Sequence, residues 1–327
     1  MDPLRITDRE RLLEMLAQRR QGKSRVIDES DMSTALKKRV RGQDHIIDDL
    51  CKFIRLQWGK ERRGKPIASL LLVGPPATGK TELAKALTEY LFDDEKNMLR
   101  FDCSEFTGAE GKTRLIGTPT GYVGASQGGQ LTRPMFSNPK RLVLFDEIEK
   151  AFAGIFDLLL SMLGEGRLTE QGSNKTADFT QSLVVLTSNA QHEEIAKLSE
   201  QIDDPFELGN AVRGLLRDAQ TFRPEIVSRF DQIYVFKQLE GIVNAEIAAL
   251  KIAGAAKDYG VEIEEIVPEL VYEIMELGDA AKDTRELARV VDAKLGDVLL
   301  QARSDGVERA TISIDDSGQP VLLSVEG

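Results

Sequence analysis

Gly74-Pro75-Pro76-Ala77-Thr78-Gly79-Lys80-Thr81 is the stretch from which the rest of this chain can be read. It fits G-x-x-x-x-G-K-[ST], a loop whose backbone amides cradle phosphate oxygens. Before it runs Ser69-Leu70-Leu71-Leu72-Val73, a short apolar run that predicts a strand buried on both faces. After it, Glu82 to Leu91 places apolar residues at helical spacing. Strand, glycine loop and helix is the context the motif requires. The free amides of the loop and of the helix start then face phosphate groups. Pro75 and Pro76 have no amide proton, so Ala77, Thr78, Gly79, Lys80 and Thr81 supply the donors. Lys80 adds a point charge near the outer phosphates, and the Thr81 hydroxyl is a ligand for Mg²⁺. Ala77 stands where such loops often carry glycine, and a positive φ there adds strain.

Downstream, Arg141-Leu142-Val143-Leu144-Phe145 is an apolar strand that ends in Asp146-Glu147, with Asp146 66 residues after Lys80. Parallel sheets bind ligands at the carboxyl ends of their strands, which puts Asp146 near Mg²⁺ and Glu147 near an attacking water. Met98–Asp102, Ser182–Asn189 and Gln232–Phe236 read as further strands. A helix capped near Gln43–Asp44 carries Ile46, Ile47, Leu50, Phe53, Ile54 and Trp58 on one side. Residues 104–130 are glycine-rich and irregular, which inside a compact domain means function or disorder. Residues 152–165 predict an apolar helix, 166–179 a polar hairpin or loop, and 190–220 helical structure.

The expected fold is therefore α/β: a parallel-sheet nucleotide-binding domain over 38–239, then a small, mainly helical domain over 240–327. The second has helices at 242–258, 268–277 and 284–303, and a β pair, Thr311–Ile314 and Val321–Ser324, turned by Asp315–Gly318. Residues 1–37 form a helical extension (4–20) and linker (21–31); a helical lead-in and a partner-docking arm both fit them.

The 327 residues are 41% hydrophobic and 30% charged, which suits a soluble chain of about two domains. The net charge of −11 argues against sequence-independent nucleic-acid binding. Cys51 and Cys103 lie far apart without metal-ligand spacing and are expected as buried thiols in a reducing compartment. No apolar run has the length of a membrane span, and Met1–Arg5 has no signal-peptide character, so a cytoplasmic protein without membrane partners is expected.

These pieces in this order resemble the AAA+ ATPases, and more narrowly the second ATPase module of the Clp protein disaggregases and unfoldases. The resemblance is carried by Val40–Gln43, Gly74–Thr81, Thr113–Gly117, Gly121-Tyr122-Val123-Gly124, Gly128–Thr132, Phe145–Lys150, Gly166–Thr169, Thr187-Ser188-Asn189, Phe222–Glu225, Ser228–Asp231 and Thr284–Leu287. It spans about residues 38 to 324 and implies ATP and Mg²⁺ as cofactors. Val40 would border the adenine, Asp146 would complete the metal site with Thr81, and Glu147 would polarise water. Asn189 is similar to the sensor that orients that water. Arg229 is similar to an arginine finger reaching a neighbour's γ-phosphate, and Arg285 to a second sensor on a helical lid. Tyr122, with Val123, would line a pore and press on polypeptide, since an aromatic on a mobile loop grips without sequence demands.

The implied function is an ATP-dependent unfoldase working as a homo-oligomeric ring, a hexamer by the resemblance, on polypeptide substrate, with room for an adaptor. The sequence departs from the family at Asp283-Thr284-Arg285, where Gly-Ala-Arg is usual. It holds no first ATPase ring, coiled-coil arm or N-terminal substrate domain, so a single ring is expected. The Ile-Gly-Phe/Leu loop of peptidase-feeding unfoldases is absent from residues 190–221, which argues against docking to the Clp peptidase. Two other readings are a non-processive remodeller or transcription activator, on the resemblance of Phe106-Thr107-Gly108-Ala109 to a polymerase-contacting tip, and a nucleotide-gated scaffold with little turnover.

Overall fold

The computed structural model describes residues 26–61, 63–219, 221–239, 241–279, 284–315 and 318–325, with side chains at 278–279 and 284–286 outside that description. The predicted helix at 4–20 therefore lies outside the described residues. Two compact units emerge among them: residues up to Val73 with Thr81–Val235, and Gly74–Lys80 with the chain from Phe236 onward.

The first unit is built on a five-stranded parallel sheet: β1 (Ala68–Val73), β2 (Met98–Asp102), β3 (Leu142–Asp146), β6 (Leu183–Ser188) and β7 (Gln232–Val235), in the order β2-β3-β6-β1-β7. Every residue of β1, β3 and β6 is buried. That explains their continuous apolar sequences, because a parallel sheet covered on both faces offers no side for polar alternation. β2 lies on one edge and alone keeps partly exposed residues along most of its length. The antiparallel hairpin of β4 (Arg167–Thr169) and β5 (Thr176–Asp178) resolves the choice left open for residues 166–179.

Helices pack the sheet. Ala153–Glu165 buries Ile155, Phe156, Leu158, Leu159, Met162 and Leu163, and ends at Gly166 in the left-handed conformation. Glu29–Arg39 is capped by the Asp28 carboxylate, which accepts from the Ser30 and Asp31 amides at 2.9 and 3.0 Å. It is tied to helix Asp44–Trp58 by Ser33 and Lys37, both donating to Asp48. At its C-terminal end Arg39 reaches Glu82, Glu89 and Glu95. The helical reading of 190–220 resolves into His192–Ser199 and Pro205–Asp218, the latter capped by Asp204. Short helices at Glu110–Ile116 and Thr132–Ser137 occupy part of the stretch read as irregular.

The second unit packs helices Ile242–Asp258, Pro268–Asp279 and Thr284–Ser304 around Ala248, Ile252, Ile274, Val291, Leu295 and Leu299. Its β9 (Arg309–Ile314) and β10 (Pro320–Ser324) form the expected antiparallel pair. A further strand, β8 (Glu262–Ile266), adds to β9 in parallel with an irregularity between Ile263 and Glu265. Its sequence, Glu-Ile-Glu-Glu-Ile, hides the strand: the irregularity lets both isoleucines turn to the core although two glutamates separate them.

Candidate active site

Two neighbouring strands place the chemistry. β3 ends in Asp146, which is 6% exposed, and the chain leaves it through Glu147 in the left-handed region at φ 55°. That conformation is uncommon for a residue with a Cβ and costs on the order of 1 kcal/mol. Thr187, near the end of the adjacent β6, holds the corner. Its Oγ1 accepts from the Glu147 amide at 3.0 Å and donates to Asp146 Oδ1. Thr81, in the first turn of helix Lys80–Phe92, brings its Oγ1 to 3.2 Å from both Asp146 oxygens. Hydroxyl and carboxylate oxygens converging in this way are the donor set of a Mg²⁺ site, which takes one or two protein ligands and completes itself with phosphate and water. From β2, Arg100 donates to Asp146 Oδ2 from both Nε and Nη2, at 3.1 and 2.7 Å.

Glu147 is held by two groups. Asn189 Nδ2 donates to its Oε1 at 3.3 Å and Lys150 Nζ to its Oε2 at 2.6 Å. The hydrogen bond to Glu147 is the main cause that raises the Lys150 pKa, with the charges of Glu147, Glu149 and Asp102 adding to it against modest desolvation. The Asn189 amide nitrogen donates to Glu149 Oε1 at 3.1 Å. Asn189 Oδ1 is buried with no hydrogen-bond partner among the described residues. A buried acceptor beside a carboxylate is a site for a polar ligand or a water.

The glycine loop has its own internal order. Thr78 Oγ1 donates to the Pro75 carbonyl at 2.9 Å, and Lys80 Nζ donates to the carbonyls of Gly74 and Pro75 at 2.9 and 2.5 Å. Gly74 has φ 140°, and a Cβ there would lie 2.3 Å from the Phe236 carbonyl oxygen, so no larger residue fits. Ala77 has φ 63° and Gly79 φ 98°. The open question over Ala77 is answered: it adopts the left-handed conformation, and the loop carries strain that glycine would not.

A model of the AAA domain (Cdc48 subfamily) matches residues 65–233. The chain belongs to the AAA ATPases, in the Clp family. Heat shock protein 100 of Trypanosoma brucei brucei is 34% identical over 331 residues, covering 98% of this chain and 36% of that protein. Chaperone protein ClpB of Streptomyces albus G is 37% identical over 272 residues, covering 82% and 31%. Chaperone protein ClpC, chloroplastic, of Pisum sativum is 40% identical over 238 residues, covering 69% and 26%. The chain thus spans about a third of the length of the curated relatives it matches.

The remaining sequence-derived residues of this Clp-family ATPase are placed as follows. Val40 is buried and closes helix Glu29–Arg39. Arg229 is exposed, its guanidinium lying over Gly164, with no ion pair to it among the described residues. Tyr122 is 70% exposed and Val123 fully so, between Gly121 at φ 96° and Gly124 at φ 91°. Arg285 is the second residue of helix Thr284–Ser304, and its side chain lies outside the described residues. Phe106, expected at an exposed tip by the transcription-activator reading, is 3% exposed. It packs edge-on to Phe101 with Arg114 over its ring. Cys51 and Cys103 are free, buried thiols; burial first, then the nearby carboxylates, pushes both up, Cys51 to about 12.

Sequence reasoning gave no role to three groups that touch Asp146 or Glu147. Arg100 is a charge in a strand with no motif to mark it, and Lys150 was visible only as the end of Phe145–Lys150. Thr187 was visible only as part of Thr-Ser-Asn. Strand register joins Arg100 and Thr187 to the corner, and the tight turn after β3 brings Lys150 to Glu147.

Proposed function

We propose that this ATPase hydrolyses ATP as a homo-oligomeric ring, a hexamer, and uses the hydrolysis to pull polypeptide past Tyr122 and Val123. Residues 38–239 would be the ATPase domain, 240–327 the lid and 1–37 an extension; the setting would be cytoplasmic. The observation that carries the reading is an exposed aromatic on a loop hinged by glycines, in the same unit as a built Asp146–Glu147 corner. An apolar pair in water has no packing role in the isolated chain, and it suits transient contact with an unfolded chain.

Lys80 and the amides of Ala77–Thr81 would hold the nucleotide phosphates, Val40 would border the adenine, and Thr81 with Asp146 would hold Mg²⁺. The cation supplies Lewis-acid stabilisation of charge on the phosphates. Glu147 would accept a proton from the attacking water, and Asn189 would orient that water through its amide. Lys150 must turn away for Glu147 Oε2 to accept that proton, because its ammonium occupies the oxygen. Arg229, with no ion pair among the described residues, would serve a neighbouring protomer's site, and Arg285 would sense nucleotide from the lid.

Turnover measured against protein concentration tests the ring. Wild type should gain specific activity as protomers assemble, and Arg229→Ala should stay low at every concentration. Full turnover in dilute Arg229→Ala would overturn the trans role. Tyr122→Ala should keep ATP turnover and lose unfolding of a tagged substrate; retained unfolding would remove Tyr122 as the grip.

A further inference from the structure

The loop of residues 117–128, which carries Tyr122 and Val123, narrows to a neck at a single carboxylate. Glu170 sits at the tip of the β4–β5 hairpin and is 5% exposed. Its Oε1 accepts from the Gly129 amide at 2.9 Å and from the Thr132 hydroxyl at 3.1 Å, and Ser173 donates to its Oε2. Burial alone would raise the Glu170 pKa; the bonds from Ser173, Gly129 and Thr132, with the charge of Arg133, outweigh it and hold the carboxyl below the usual glutamate value.

Both feet of the loop close on this side chain. A Cβ on Gly117 would lie 3.3 Å from Glu170 Cγ, and one on Gly128, at φ 71°, would lie 2.7 Å from Oε1. The hairpin tip also meets the loop directly. The Gln171 amide donates to the Ile116 carbonyl at 2.9 Å and Thr120 Oγ1 to the Gly172 carbonyl at 3.2 Å. Gly172 approaches so closely that a Cβ would lie 2.3 Å from the Ala125 carbonyl oxygen. The hairpin then runs on through Phe179–Ser182 into β6, the strand that ends in Thr187 and leads to Asn189.

We propose that Glu170 is a positioning residue that fastens the Tyr122 loop to the β4–β5 hairpin, so that loop and hairpin present Tyr122 and Val123 as one body. A carboxylate suits the task because it accepts several donors at once and has none of its own to satisfy. The backbone amide at the loop's exit is otherwise buried without a partner, which would loosen the neck. What Tyr122 and Val123 would hold rests on the polypeptide-threading reading; the fastening itself does not.

Hydrogen exchange of the full chain, read over 117–129 with 183–188 as a control for folding, tests the fastening. Glu170→Ala should speed exchange over 117–129 about tenfold or more and leave 183–188 unchanged. Glu170→Gln should restore most of the protection, since its carbonyl still accepts from Gly129 and Thr132 and its amide can donate to Ser173. Ser173→Ala, which removes one bond at the hairpin tip, should fall between them and serves if Glu170→Ala fails to fold. Wild-type protection over 117–129 in Glu170→Ala, or in Ser173→Ala if only that folds, would overturn the proposal. The working consequence is read with casein, a permanently unfolded chain, as probe. Its half-saturating concentration for stimulating turnover should rise in Tyr122→Ala and Glu170→Ala and recover in Glu170→Gln. A rise in Tyr122→Ala without one in Glu170→Ala would overturn the positioning role. No change in Tyr122→Ala would instead remove the threading reading, and loop exchange would then decide the fastening alone.

Discussion

Replacing Thr187 by valine removes one hydroxyl and keeps the volume, so it isolates the polar role of this buried side chain. Two bonds are lost. The Glu147 amide loses its acceptor, and Asp146 Oδ1 loses a donor. An unmet buried amide costs about 1–3 kcal/mol, and a hydrogen bond to a charged group contributes about 1.5–3 kcal/mol. The first loss falls on a residue already strained at φ 55°, so the turn carrying Glu147 has least reason to keep its shape. If about 1.4–2.7 kcal/mol of that misplacement is felt in the transition state, kcat falls about 10- to 100-fold. The loop donors and Lys80 are untouched, so KM for ATP should move little. Steady-state ATP turnover of Thr187→Val and Thr187→Ser, with thermal unfolding as a check on folding, is the assay. Serine keeps the hydroxyl and should recover kcat to within about threefold of wild type. A folded Thr187→Val with kcat within about twofold of wild type would refute the reasoning, because the corner would then hold without its hydroxyl.

Other outcomes follow from single contacts. Ala77→Gly relieves a left-handed alanine and should raise stability by up to about 1 kcal/mol, seen as a higher melting temperature with turnover retained. Arg100→Gln frees Asp146 Oδ2 from a competing cation. Because the Arg100 side chain is 42% exposed, the pair is screened, and the Mg²⁺ concentration for half-maximal nucleotide binding should fall only about threefold, measured with a fluorescent nucleotide. Cys51 and Cys103 should resist a thiol reagent near neutral pH in the native protein and react on unfolding, since burial keeps both protonated.

Much of the candidate site was legible because its residues end apolar strands. Ser69–Val73, Leu142–Phe145 and Leu183–Leu186 are continuous apolar runs for a reason, burial on both faces, and each delivers its polar residues to the same edge. Asp146 and Glu147 could be named from that alone and Asn189 only through the family resemblance; their meeting follows from β3 lying beside β6. The partners of these residues were not legible. Arg100 meets Asp146 only because β2 pairs with β3 in register, and Lys150 meets Glu147 only because the turn after β3 is tight. β8 was hidden by its glutamates. Phe106 looked like a tip when read as four residues, but it belongs to the core beneath Arg114. Glu170 had no signal at all, since one acidic residue in a polar hairpin reads as solvated until the loop is seen closing over it.

Unfolding of a stably folded fluorescent protein bearing an unstructured tail tests most directly whether hydrolysis at this corner moves polypeptide. In ATP, wild type should extinguish the fluorescence, and Glu147→Gln should bind the tailed substrate yet leave it bright. Loss of fluorescence in Glu147→Gln at the wild-type rate, or none in wild type with ATP turnover intact, would contradict it.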